Sequence, residues 1–549
     1  MNHDLGSIES LIDTHFDQNL LLRLPFGVLF NFISELATIQ FIENGHLDIS
    51  FLNPLTFVFE RNLDLTPLSP KDCRQRFGEV EALHPALLDL MMCANLNIVF
   101  PFIHNGIYTC QRFDAYTWLV DYASDRARRV ELVDSVLSNL STPIIPRFTV
   151  PGTREHLVAV IRRLDRRDVQ NVIKGAQYIQ RIYETMHHNY READLVPDAA
   201  FIELGFSSAA AFRQIRQAFG AICYAYMQTA MAVNDYCEQH KLSYEIKYGL
   251  AEGLSMAVVA KQTIKETVSC LTGASDSDFD KFGEFFFESG EKRSTISKRS
   301  LPPFWSLGDD LYFCPCMAFM SMSVRNLLMT VQNHPPFAEK YKFHGPISDL
   351  FEPTLLRRAK HHFEANGYEV VLEKKIPGTE IDMLVYCAKS NTLLTIQAKA
   401  TLYPEGARMV RNLDRRIGEG IQQLRKFDRL DQSVKVRIIN ECFPGVGDRQ
   451  PRQINGILTN AGFGSCKSWD AMELEQIIAI NCNILRHVLP LCADLTELVE
   501  QTEKYIERCL ALVDHEVKDK RFEIGDQTIL QKNLDFDIKQ LYLQNLMGE

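Results

Sequence analysis

The runs Gly378-Thr379-Glu380-Ile381-Asp382-Met383-Leu384-Val385 and Leu393-Leu394-Thr395-Ile396-Gln397-Ala398-Lys399 decide how this chain reads. Both are rich in branched aliphatic residues, and Lys389-Ser390-Asn391 between them is a turn signal, so together they predict a β-hairpin. Side chains alternate along a strand, which puts Glu380 and Asp382 on one face of the first strand and Gln397 and Lys399 on one face of the second. A lysine in a run as apolar as Leu393 to Ala398 is expensive unless it is paired or functional. A cross-strand ion pair between Asp382 and Lys399 at a solvated sheet end meets that requirement, and so does a catalytic site.

Working outward, Leu350 to Asn366 is an amphipathic helix stopped by Gly367, and Tyr368 to Glu373 reads as a strand. Downstream, Arg408 to Asp428 is a long basic helix, Val434 to Asn440 and Asn455 to Thr459 read as strands, and the chain after Trp469 returns to helix through Leu474 to Val517. This order predicts an α/β domain with a small mixed sheet over 341–470 and a helical tail over 471–549. The fold class expected for the whole chain is α+β multidomain, because 549 residues exceed what one hydrophobic core usually serves.

The two strands resemble the core strands of PD-(D/E)XK nucleases, with Asp382 at the aspartate position and Lys399 at the lysine position. Phe351-Glu352-Pro353 opens a helix that closes at Asn366-Gly367-Tyr368-Glu369-Val370 and is similar to the first core helix of that superfamily. Glu352 falls where many members carry an acid, and Gly420-Ile421-Gln422-Gln423-Leu424 lies in the helix that often contributes a glutamine. Gln397 stands where the family usually has Asp or Glu, and an amide is a weaker Mg²⁺ ligand than a carboxylate. This QxK form resembles the variant of Mrr-like restriction enzymes that cleave modified DNA.

The resemblance implies a restriction-endonuclease-like fold and a Mg²⁺- or Mn²⁺-dependent endonuclease acting on DNA, with RNA left open as a substrate. Glu352, Asp382 and Gln397 would hold the metal, and Lys399 would position water and offset negative charge. It also implies a prokaryotic restriction or phage-defence effector. A nuclease fold that binds nucleic acid or protein without cleaving is the other reading. For substrate contact, Arg357 and Arg358 on the first helix and Arg408, Arg411, Arg415, Arg416 and Gln422 on the basic helix suit phosphate backbone, although a solvated helix face explains the same charges.

The net charge of -11 excludes a chain that coats nucleic acid with its whole surface, so any such site is a local basic patch. No stretch reaches 18 uninterrupted apolar residues and no basic n-region opens the chain, so neither a membrane span nor a secretory signal is expected and a cytoplasmic location is. The 14 cysteines include no CxxC, which argues for buried thiols rather than a four-ligand zinc site.

Residues 1–150 are apolar and mixed in period, with a strand-like His46 to Phe51 and a helical Pro85 to Asn95, and predict no particular fold. The segment 151–340 reads as mainly helical, with helices over Thr153 to Arg191, Phe212 to Gln239, Glu252 to Leu271 and Ala318 to Val331. Asp276 to Arg299 reads as a flexible linker and Asp310 to Cys314 as a strand. Arg162, Arg163, Arg166 and Arg167 form a charged helix face. Leu204-Gly205-Phe206-Ser207-Ser208 is locally similar to a helix-turn-helix of AraC-type regulators, but Ser207 as an N-cap with Phe212 buried accounts for it. The helical modules offer surfaces for a homo-oligomer or a partner protein.

Overall fold

The computed structural model describes residues 2–44, 80–141, 176–189, 196–242, 254–290, 303–401, 407–447 and 449–537. The strand-like His46 to Phe51, the linker beyond residue 290 and most of Thr153 to Arg191, with its four arginines, lie outside these residues. The chain is mixed α/β.

Among the described residues three α-helices open it: α1 (Asn2–Asp17), α2 (Phe26–Asn44) and α3 (Val80–His104). Windows in α2 and α3 are long and apolar enough to cross a membrane by length and composition, with 61% of the first and 38% of the second buried inside the protein. The hairpin β1 (Tyr108–Arg112) and β2 (Thr117–Tyr122) then leads to α4 (Asp125–Ser141). Of the long predicted helix, α5 (Ala176–Asn189) is described.

After the short α6 (Asp198–Glu203) comes α7 (Ala209–Gln239), the longest of the described helices, with Phe212 fully buried. Its N-cap is Ser208, whose hydroxyl accepts from Ala211 N at 3.0 Å, rather than Ser207. Ser207 instead gives both its N–H and its hydroxyl to Asp278.

A four-stranded sheet in the order β3-β6-β5-β4 covers this region, built from β3 (Ala257–Ala260), β4 (Phe287–Ser289), β5 (Phe304–Leu307) and β6 (Asp310–Phe313). Three expectations fail here. The helix expected from Glu252 starts only at α8 (Lys261–Thr272), because Ala257–Ala260 pairs with β6. The start of the expected linker is α9 (Asp276–Phe286), capped by Ser275 and holding Phe279, Phe282, Phe285 and Phe286 in the core. Its acids and serines masked an aromatic face at helical spacing. The helix expected over Ala318 to Val331 is two, α10 (Pro315–Ser321) and α11 (Val324–Asn333), because Ser323 caps a new start on Asn326 N. The short α12 (Pro335–Tyr341) follows with proline in its first turn.

The central sheet has the order β11-β10-β9-β8-β7. It is preceded by α13 (Phe351–Ala365) and begins with the antiparallel strands β7 (Glu369–Ile376), β8 (Thr379–Cys387) and β9 (Thr392–Lys399). All eight residues of β9 are buried, which suits a strand covered on both faces and explains its continuous apolar run. The helices α14 (Ala407–Asp428) and α15 (Gln432–Cys442) carry the chain over to β10 (Arg452–Thr459), parallel to β9. Then α16 (Cys466–Leu474) leads to β11 (Ile477–Asn481), parallel to β10. On α14 the stripe Leu413, Ile417, Ile421 and Leu424 is buried.

The strand expected over Val434 to Asn440 is helical. Its β-branched residues suggest a strand, but Val434, Ile438 and Cys442 share one helix face that packs with Ile381, Tyr386 and Leu393 of the sheet. Tertiary burial overrides a weak local preference. The expected helical tail is also corrected. After α17 (Cys482–Val488) and α18 (Leu498–Ala511), β12 (Asp514–Ile524) and β13 (Gln527–Asp537) form an antiparallel hairpin. β13 pairs in parallel with β2, so the chain's last described strand returns to the N-terminal region. One buried core runs from Ile8 to Leu534.

Candidate active site

The register Leu384↔Thr395 and Tyr386↔Leu393 carries Asp382, Gln397 and Lys399 onto one face of the sheet. The β8–β9 ladder ends at Met383↔Ile396, and beyond it the strands are held by side chains. Asp382 Oδ2 accepts Ala398 N at 2.7 Å, and Gln397 Nε2 donates to the Glu380 carbonyl at 2.6 Å. The Gln397 oxygen is thereby turned to Lys399, whose Nζ donates to it at 3.4 Å and lies 3.7 Å from Asp382 Oδ2. The Lys399 and Asp382 side chains are each only 11% exposed, so this is a desolvated pair that costs more than a surface bridge.

Glu352, in the first turn of α13, lines a cavity of about 420 Å³ together with Lys399, Arg416, Glu419, Gln422, Gln423 and Lys426. Burial pushes the Glu352 carboxyl up; the Lys399 charge opposes this, while the charges of Asp382 and Glu373 add to it. Burial also raises the Asp382 carboxyl, against Lys399 and the Ala398 N–H. Burial of both carboxyls is a cost that a divalent cation would relieve.

On α14, Arg408, Arg411, Arg415, Glu419, Gln422 and Lys426 follow one another at steps of three or four, so they form one stripe running into the cavity. Arg408, Arg411 and Arg415 are exposed, and Arg415 is bridged to Glu419 at 2.5 Å. Arg416 reaches the Ala400 carbonyl at 2.8 Å beside the cavity. The two arginines of α13 are placed differently. Arg357 folds back on its own helix, to Pro353 O at 3.3 Å and Thr354 Oγ1 at 3.2 Å, and Arg358 acts electrostatically on His362 and Cys482. Neither lines the cavity.

Glu419 and Glu373 were not foreseen. Glu419 lies on the helix stripe that the arginines already marked. Glu373 sits between the register pairs Leu372↔Met383 and Lys374↔Ile381, opposite Asp382, with φ +54°. A non-glycine residue at positive φ in a strand is strained, and nothing in its sequence context announces it. No known family model matches the chain, and no curated protein matches it in sequence.

Proposed function

We propose that the chain is a metal-dependent endonuclease of PD-(D/E)XK type with a restriction-endonuclease-like domain, hydrolysing phosphodiester bonds in DNA. One observation carries the reading: Asp382, Gln397 and Lys399 converge where two strands part, and Glu352 lines the same cavity as Lys399 and feels its charge. The donor set fits a hard divalent cation, since two carboxylates and an amide oxygen are all oxygen ligands. Glu352, Asp382 and Gln397 would hold Mg²⁺ or Mn²⁺, which when bound supplies charge relief on the phosphate oxygens.

The chain's own residues do the rest. Lys399 positions the attacking water beside the scissile phosphorus and offsets the charge that grows on the phosphate. Arg416 and Lys426 hold the neighbouring phosphates at the cavity wall, and Arg408 and Arg411 extend that track along α14. A role in restriction or phage defence, and a cytoplasmic site of action, accord with such an enzyme. The binding-only alternative is favoured by one feature, the engagement of Lys399 with both Asp382 and Gln397.

Plasmid, linear and single-stranded DNA and RNA, each incubated with Mg²⁺ or Mn²⁺, separate the two readings. Cleavage of DNA that chelator abolishes and that Asp382→Ala and Lys399→Ala remove supports the enzyme. Binding without cleavage under either metal overturns it in favour of the binding factor.

A further inference from the structure

A second cluster lies between the N-terminal helices and includes a histidine and a cysteine, neither of which the candidate nuclease site holds. His15 projects from α1, and Asp89 and Cys93 stand four residues apart on α3, so both point from one face of that helix. His15 Nε2 and Asp89 Oδ1 are 2.8 Å apart, and the donor atoms of all three residues lie within 4.8 Å of one another. Asn19, just past α1, fixes the arrangement from outside: its amide donates to Ala86 O at 2.8 Å and to Asp89 Oδ2 at 3.2 Å. One carboxylate oxygen is thus held by Asn19 while the other faces His15.

We propose that His15, Asp89 and Cys93, three possible ligands among the described residues, form a zinc site. Bonds of about 2.0 to 2.3 Å in a tetrahedral shell set donor separations of roughly 3.3 to 3.8 Å. The His15–Asp89 pair at 2.8 Å opens slightly to reach them, and Cys93 lies within 4.8 Å of both. A set of one imidazole, one carboxylate and one thiol selects a borderline-soft ion and not Mg²⁺ or Ca²⁺. Cys93 is 1% exposed, whereas the His15 and Asp89 side chains are 31% and 29% exposed, so the protein ligands close the inner side and solvent reaches the outer one. Asn19 is the outer-shell partner that aligns the carboxylate. The metal would also tie α1 to α3 independently of anything at Lys399.

The test uses the full chain, stripped of metal and titrated with Co²⁺ as a spectroscopic probe. One equivalent should bind with a thiolate-to-cobalt charge-transfer band, and Zn²⁺ should displace it. Cys93→Ala should abolish the band, and His15→Ala should weaken binding by at least about tenfold, since loss of an outer-shell partner alone costs about 10- to 100-fold. Asn19→Ala keeps every ligand and should keep the band while weakening affinity. Absence of stoichiometric binding, or a band that survives Cys93→Ala, overturns the site. If Cys93→Ala does not fold, Asp89→Asn read by the same Co²⁺ titration decides, because an unchanged affinity there overturns it equally. None of these readouts depends on nucleic-acid cleavage.

Discussion

Gly420 of α14 faces the stem of Lys399: a Cβ built on Gly420 would stand 3.1 Å from Lys399 Cε, 3.5 Å from Gln397 Cβ and 3.0 Å from Ile457 Cδ1. The helix can approach β9 this closely only because the residue has no side chain. In an ordinary helix interior, replacing glycine by alanine gains about 1 kcal/mol. Here Gly420→Ala is expected to gain little or nothing and to shift the Lys399 ammonium away from Asp382. On the proposed function, kcat should fall by up to about tenfold, because the contact displaces the Lys399 stem by a few tenths of an ångström and a full ångström at a reacting centre costs on the order of 100-fold. Parallel thermal melts and cleavage rates check it, and an active, stabilised Gly420→Ala protein would contradict it.

The Lys399–Asp382 pair predicts a non-additive pair of substitutions. Lys399→Met fills the same volume but leaves the Asp382 carboxylate enclosed without its cation, which costs about 3 kcal/mol when a buried pair is broken from one side. Asp382→Asn keeps an oxygen for Ala398 N while removing the charge. The double variant should therefore recover much of the stability that Lys399→Met loses, measured by denaturant unfolding. Simple additivity of the two effects would show that the pair is not coupled.

How far the sequence exposed this arrangement depends on what each residue's signal was. The hairpin of β8 and β9 was legible because two aliphatic runs flank a short turn, and the alternation of side chains put Asp382, Gln397 and Lys399 on matching faces. Glu352 was legible only through its resemblance-based position on α13, since its approach to Lys399 is a tertiary fact. Val434 to Asn440 misled because β-branched residues in α15 answer to the sheet beneath them and not to local preference. The hairpin of β12 and β13 was missed because Asp514 to Arg521 is exposed throughout and carries few apolar residues to mark a period. The cluster of His15, Asp89 and Cys93 was not legible because His15 lies far from the other two in sequence.

The raised carboxyls of Glu352 and Asp382 set the direction of a pH effect on metal binding. A cation competes with the protons that these groups retain, so affinity for Mn²⁺ should fall as pH is lowered through their titration, by up to about tenfold per pH unit for each proton displaced. Glu352→Gln removes one of the two titrating groups and should flatten the profile. Titration of Mn²⁺ by electron paramagnetic resonance across the acid range measures this directly. A pH-independent affinity in the wild-type chain would contradict it.

Asp134 provides a stability effect that does not involve the residues of the candidate site. Its Oδ1 accepts from Phe463 N and from Trp469 Nε1 at 3.4 Å, which ties α4 to the loop ahead of α16. Burial pushes its carboxyl up to about 7 from an ordinary 3.8, although the Phe463 and Trp469 N–H groups oppose the shift and the nearby Asp414 charge adds to it. Between those two values the folded chain holds a proton that the unfolded chain has lost. Stability from this group is therefore full below about pH 3.8 and declines as pH rises through about 7, by at most about 1.4 kcal/mol per pH unit. Asp134→Asn keeps an acceptor for Phe463 N and cannot ionise, so its stability relative to wild type should increase with pH over that interval. Denaturant unfolding of both chains at pH 4, 5, 6 and 7, taken as about unit steps across the window, checks the sign. A constant difference between them would mean that Asp134 is ionised throughout.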